Sequence, residues 1–191
     1  VKELTEYLVS FEGGDIMKTV VIYKSKSGYT KKYAQWLAEA LQADLFEADK
    51  FNKEQFGAYD NVIYGGGIYA VGINGIKFIK ENLPSLKGKK VIVFATGLSP
   101  AREEVINEIK DKNFSAEELG AISFFYMRGG FDTAKLKTLD GLAMKLMRRI
   151  LKRKDPAAMS EDDRSMLDAF EQPVDFTDKR NIEPILKALE G

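Results

Sequence analysis

Neither cysteine nor histidine occurs anywhere in the 191 residues. Their absence excludes disulfides, thiol redox chemistry, thiolate or imidazole metal sites, and Ser-His-Asp or Cys-His nucleophilic machinery. The usual neutral-pH general base is gone as well, so chemistry must draw on carboxylates, lysine, tyrosine or a bound cofactor. Net charge is also lacking: 29 basic and 29 acidic residues cancel, which argues against a whole-molecule field for nucleic acid. No run approaches the roughly 18 apolar residues of a membrane span. The opening Val1-Lys2-Glu3-Leu4 lacks the basic-then-apolar layout of a secretory leader, and a cytoplasmic location is expected.

What remains is an ordinary globular composition, 45% apolar and 30% charged. Residues 1–16 read as an N-terminal extension, with Gly13-Gly14 breaking a short amphipathic stretch. From Met17 the chain alternates strand and helix signals, and residues 17–191 are expected to form one domain. Thr19–Tyr23, Asp44–Ala48, Asn61–Tyr64, Val91–Ala95 and Ala121–Phe125 are short apolar runs, several rich in β-branched residues, as strands buried on both faces require. Lys31–Leu41 and Asn74–Leu83 read as helices, the second stopped before Pro84. Ser99-Pro100 has the chemistry to open another, and residues 182–190 form a last helix capped by Asp178 or Asn181. Repeated βα units imply a doubly wound parallel sheet with helices on both faces.

Ligands of such sheets sit outside the carboxyl ends of the strands. There the first strand ends in Ser25-Lys26-Ser27-Gly28-Tyr29-Thr30 and runs straight into a helix. Three hydroxyls can donate to a phosphate, Gly28 permits a tight path, and the helix aims its free N–H groups at the same point. A serine-rich turn that merely caps the helix is the plain alternative. The pattern is neither G-x-G-x-x-G nor a Walker loop. At the same edge, Gly66, Gly67, Ile68, Tyr69 and Ala70 follow the third strand, and Thr96, Gly97 and Leu98 follow the fourth. Tyr69 offers a ring to a planar ligand, Leu98 a cover for its inner face, and Thr96 a hydrogen bond to a heterocycle edge. No acidic pair follows the first strand, which disfavours a Mg²⁺-binding receiver domain. No catalytic acid or base is identifiable.

At these residues the sequence resembles the flavodoxins, whose first loop is Thr/Ser-x-Thr/Ser-Gly-x-Thr. It is most similar to the flavodoxin-domain subfamily that includes bacterial menaquinone-dependent protoporphyrinogen IX dehydrogenase. The resemblance spans most of residues 17–190. It is carried by the Met17-Lys18-Thr19 start, the phosphate loop, Gly65–Ile68, Met144-Lys145-Leu146-Met147 and Thr177-Asp178. It implies one FMN, a five-stranded sheet ordered 2-1-3-4-5, and a flavin held between the Tyr69 and Leu98 loops. It further implies that Ser25, Ser27 and Thr30 contact the phosphate through side chains, and Lys26, Gly28 and Tyr29 through backbone. A flavin suits a chain without histidine or cysteine, since the cofactor carries the electrons.

Residues 127–178 exceed the length of a loop and are expected to form a helical insertion between the fifth strand and the last helix. Lys135–Lys154 holds eight Lys/Arg against one Asp, with Leu139, Leu142, Ala143, Leu146, Met147 and Ile150 at helix spacing. Asp155–Glu171 holds six Asp/Glu against one Arg, and Ser160 with Asp163 signals a capped helix with Leu167 and Phe170 turned inward. The two helices either pack on each other with the apolar stripe as core, or present a basic amphipathic face to an anionic membrane or a partner. No aromatics are interleaved with the charges, so nucleic acid is not expected. The functional expectation is FMN-dependent electron transfer with a redox partner protein or a quinone. A quinone-linked protoporphyrinogen dehydrogenase and a non-redox phosphate-ligand or interaction module are the alternatives.

Overall fold

A computed structural model describes residues 17–69, 72–135 and 138–190. The extension read over 1–16 and the candidate Ala70 lie outside the described residues. Five strands form the parallel sheet: β1 (Thr19–Lys24), β2 (Asp44–Glu47), β3 (Asn61–Tyr69), β5 (Lys90–Gly97) and β6 (Ser123–Arg128). They lie in the order β2-β1-β3-β5-β6, which is the expected 2-1-3-4-5 once the short β4 (Gly72–Ile73) is set aside. That strand turns back antiparallel on the end of β3, pairing Ile73 with Ile68 and Gly72 with Tyr69.

Period-two alternation divides the core between the two faces. Val20, Ile22, Val62, Tyr64, Val91 and Val93 pack with Phe51, Phe56, Ile79, Ile109 and Phe114 on one side. That side is closed by α2 (Ile76–Asn82) and α3 (Glu103–Asn113). Val21, Tyr23, Ile63, Ile92, Phe94 and Met127 face α1 (Tyr29–Leu41) and α7 (Glu183–Glu190) on the other. The central strands are sealed on both faces, which accounts for their unbroken apolar runs. A short α4 (Ala116–Gly120), started by a Ser115–Glu118 capping box, leads into β6.

Several boundaries depart from the sequence reading. Gly65, Gly66 and Gly67 belong to β3 rather than to a loop. Gly65 pairs with Phe94, and a Cβ there would come within 2.1 Å of the Phe94 ring, so the strand can pass only as glycine. Ser99-Pro100 does not open the next helix; α3 begins at Glu103 with Arg102 as an uncapped entry. The Ser99 carbonyl instead accepts the Tyr126 hydroxyl at 2.6 Å, and Glu103 and Glu104 complement the helix dipole. Finally, β6 continues to Arg128, beyond the expected end at Phe125.

The segment after β6 is stapled at its base. β7 (Gly130–Phe131) pairs antiparallel with β8 (Val174–Asp175), and between them run α5 (Thr138–Arg153) and α6 (Glu161–Glu171). Ser160 and Asp163 form the expected capping box at the start of α6. Phe170 meets Phe131 edge to face at 5.1 Å, and Ala169 is buried. Asp178 caps the short 3-10 turn Lys179–Ile182 that leads into α7.

Candidate functional site

The carboxyl edge of the sheet gathers the ends of β1, β3, β5 and β6. The β1 end does not simply cap the helix that follows. Helix α1 starts at Tyr29, two residues before the sequence reading placed it, with Gly28 as its entry residue at φ 92°. That left-handed conformation is one only glycine adopts at little cost. No side chain caps α1, and its first turn carries no acidic residue. The leading N–H groups of the helix are therefore left for an external acceptor, in the field of the dipole's positive end. Ser25 is used locally: its Oγ accepts the Gly28 N–H at 3.0 Å. Lys26 and Gly28 are exposed, Ser25 and Ser27 half-buried, and Tyr29 and Thr30 buried.

Thr30 joins two loops that are far apart in sequence. Its Oγ1 lies 2.7 Å from Thr96 Oγ1 at the end of β5, both side chains being buried. Gly67 completes this meeting point: a Cβ there would stand 3.3 Å from Thr30 Oγ1, 3.4 Å from the Tyr69 ring and 3.9 Å from Thr96 Oγ1. The tips of β1, β3 and β5 thus converge on a hydroxyl pair beside a bare stretch of backbone. Two lysines stand over rings of these loops, and one of them, Lys135, is also paired with Asp132 at 3.8 Å. Lys26 Nζ lies 4.4 Å from the Tyr69 ring centroid and Lys135 Nζ 4.7 Å from that of Tyr29. No carboxylate occurs in 25–30, 66–70 or 96–98.

The remaining candidates line the rim. Ile68 and Tyr69 are half-buried on the β3–β4 hairpin. The Gly67 carbonyl accepts the Asn74 N–H at 2.8 Å, and the Asn74 carbonyl accepts the Tyr64 hydroxyl at 2.8 Å. Burial, helped by Asp49, pushes Tyr64 far above the usual tyrosine range. Tyr64 therefore remains a neutral donor that fixes this turn. Gly97 and Leu98 are held from β6: the Gly97 carbonyl accepts the Gly129 N–H at 2.7 Å, and the Leu98 carbonyl accepts Arg128 Nε at 2.9 Å. The Arg128 guanidinium stacks 3.6 Å from the Phe176 ring centroid. Tyr69 and Leu98 are thus held by different neighbours, Tyr69 by the β3–β4 hairpin and Leu98 by Arg128.

Four residues of this edge escaped sequence reasoning. Arg128 would have been found by carrying the fifth strand three residues further, since the register sets it opposite Gly97. Lys135 is marked in the sequence only as the start of the basic stretch, and nothing there sets it beside the phosphate loop. Asn74 has a buried amide nitrogen with no partner among the described residues, and Tyr126 positions Ser99. An open concavity of about 450 Å³ lies elsewhere, lined by Asp60, Asn61, Lys89 and Lys90 at the amino ends of the strands. That is the edge where this architecture does not place ligands.

The donor set fits a group that ends in a phosphate and carries a polar ring. It offers hydroxyls and unspent helix N–H groups without carboxylates, a glycine-lined approach that a Cβ would crowd, and an orphaned buried amide.

A family model described as a flavodoxin domain matches residues 20–157. Among solved structures, a flavodoxin from the domain Archaea is 15% identical, covering 82% of this chain and 98% of its own, with a TM-score of 0.43. A flavoprotein in complex with FMN from Lactobacillus acidophilus is 17% identical over 59% of this chain and 93% of its own, with a TM-score of 0.41. The two-electron reduced flavodoxin of Megasphaera elsdenii is 16% identical over 58% of this chain and 84% of its own, with a TM-score of 0.43. No curated protein matches the chain.

Proposed function

The chain belongs to the flavodoxin domain family, and on that premise we propose that it binds FMN at the carboxyl edge of the sheet and passes electrons between partners. The observation that carries this reading is the convergence of Gly28, Thr30, Gly67 and Thr96 in front of the uncapped α1 N-terminus. Ser27, Thr30 and the first-turn N–H groups of α1 hold the phosphate, and Lys26 and Lys135 add positive charge nearby. Gly66 and Gly67 present main chain to the ring, while Tyr69 and Leu98 flank it. When bound, the isoalloxazine supplies the electron-carrying chemistry that these side chains cannot. Arg128 holds Leu98 in place and leaves a fixed cation beside that loop.

A finer reading is oxidoreduction of a substrate of its own, in the manner of a quinone-linked protoporphyrinogen IX dehydrogenase. It draws on the insertion's contact with the phosphate loop, where Lys135 stands over Tyr29 and a Cβ on Gly130 would meet the same ring at 2.6 Å.

Titrating FMN with the purified protein and following flavin fluorescence tests the first reading. Ser27→Ala or Thr30→Ala is expected to weaken FMN binding by about tenfold to a hundredfold, the cost of a lost hydrogen bond to a charged group. Binding of inorganic phosphate without any flavin would instead support the non-redox module. Porphyrinogen oxidation with a quinone acceptor separates enzyme from shuttle, and no turnover by flavin-loaded protein eliminates the finer reading.

A further inference from the structure

Four residues of the insertion's apolar stripe, Leu142, Leu146, Met147 and Ile150, are not core. Among the described residues, six large apolar side chains stand out into solvent, and four of them, Leu142, Leu146, Met147 and Ile150, lie on α5. Leu142 is 67% exposed, Leu146 58% and Ile150 60%, so they project from the surface rather than line a groove. They follow one another at four-residue intervals and make a single row along the helix. Lys145, Arg149 and Arg153 repeat the same interval three residues later and make a parallel row beside it. All three are exposed.

The other side of α5 is what docks on the protein. Leu151 is buried, and Arg148 and Lys152 reach Glu171 of α6 at 2.5 and 3.3 Å. Lys154 reaches Asp163 at 2.5 Å. The acidic helix therefore neutralises only the inner cations. The cations that remain are those adjoining the apolar row, where none has an acidic partner among the described residues. Salt bridges orient α5 so that it shows solvent its greasiest and most positive faces together.

We propose that this face of α5 docks on an anionic lipid surface, lying in the interface with Leu142, Leu146 and Ile150 among the acyl chains and Lys145, Arg149 and Arg153 at the headgroups. Charge decides the occupant. A second copy meeting the same face would set one cationic row against another, at an energetic cost. An anionic bilayer satisfies both rows at once, with apolar burial and electrostatic attraction adding. No helix among the described residues is long and apolar enough to cross a membrane, so the contact is peripheral. This surface is independent of the flavin site, and its test does not depend on flavin content.

Sedimentation of the full chain with vesicles tests it, using phosphatidylcholine alone and phosphatidylcholine mixed with phosphatidylglycerol. Binding is expected only to the mixed vesicles, and weakened about tenfold or more by Arg149→Glu with Arg153→Glu. Leu142→Ser with Leu146→Ser is expected to weaken it comparably at unchanged charge. Lys53→Glu with Lys112→Glu, exposed cations elsewhere, leaves it intact. The substituted side chains are exposed, so the parent's melting temperature is the folding control; should the serine pair melt early, Leu146→Gln replaces it. No binding by the parent, binding indifferent to the leucines, or equal loss with the Lys53/Lys112 pair would overturn the proposal. Concentration-dependent self-association abolished by Leu146→Gln, without lipid binding, would assign the face to a second copy.

Discussion

Thr30 and Thr96 show what a single contact decides. Their hydroxyls satisfy each other in a buried setting at 2.7 Å, so removing one leaves the other without its partner. Thr96→Val is expected to destabilise the protein by about 1–3 kcal/mol, the cost of an unsatisfied buried hydroxyl. Thr30→Val combined with Thr96→Val should recover much of that stability, since both polar groups are then gone. Flavin affinity should not recover, because the double variant, like Thr30→Val alone, lacks the Thr30 donor. Urea denaturation and FMN titration of Thr30→Val, Thr96→Val and the double variant check this. A double variant that regains both properties would reduce the pair to a packing feature. Gly65→Ala belongs to the same scale: its Cβ would enter the Phe94 ring, and a loss of roughly 1–3 kcal/mol is expected from overpacking.

The first helix and the last segment are joined by charge. Lys32 on α1 meets Asp175 at 3.0 Å and Thr177 Oγ1 at 2.7 Å. Burial works against the Asp175 carboxylate, but bonds from Thr177 and Lys32 outweigh it and hold its pKa below the usual aspartate range. The Arg180 guanidinium, with the Arg180 N–H, lowers Asp178 to about 2. Both carboxylates are more acidic folded than unfolded, so their stabilisation is present above about pH 4 and is lost as pH falls toward 2. Trp36, the only tryptophan, lies with its ring 5.2 Å from Lys32 Nζ. An acid titration of Trp36 fluorescence should show a transition in that window, and Asp178→Asn should shift it to higher pH. A profile flat from pH 5 to pH 2 would dismiss these anchors.

Elements also separate what the sequence disclosed from what it hid. The buried strands were legible because two covered faces demand continuous apolar residues, and Ser160 with Asp163 announced α6 through cap chemistry alone. The reach of β3 through three glycines was not legible. Glycine ordinarily signals a turn, and only the Phe94 ring across the ladder explains its place in a strand. The start of α3 was misplaced because Ser99 has cap chemistry but spends its carbonyl on Tyr126. Within the site, the phosphate loop was readable from local order, as hydroxyls and glycine stood between strand and helix. Arg128, Asn74 and Lys135 were not, because each reaches the edge through tertiary contacts. For α5 the sequence supplied the amphipathic pattern but could not say which side met the protein; the ion pairs to Glu171 decide that.

Across the whole molecule, a sheet sealed on both faces leaves its carboxyl edge as the place where main-chain donors, hydroxyls and cations meet, with no carboxylate in the loop stretches 25–30 and 96–98. The sheet's far side carries its own pH limit: burial, with the hydrogen bond to Asp44, pushes Tyr59 up to about 12. That stabilisation is complete below about pH 10 and fades as pH rises through 12, so alkaline melting temperatures should fall across this interval and Tyr59→Phe should flatten the decline. The central claim concerns the opposite edge. Its most direct test is equilibrium titration of FMN with the purified chain, read as quenching of flavin fluorescence. Saturable quenching at micromolar protein or below, weakened at least tenfold by Thr30→Ala, is the predicted result. Unquenched FMN over the same range, with the protein folded by circular dichroism, would contradict the account.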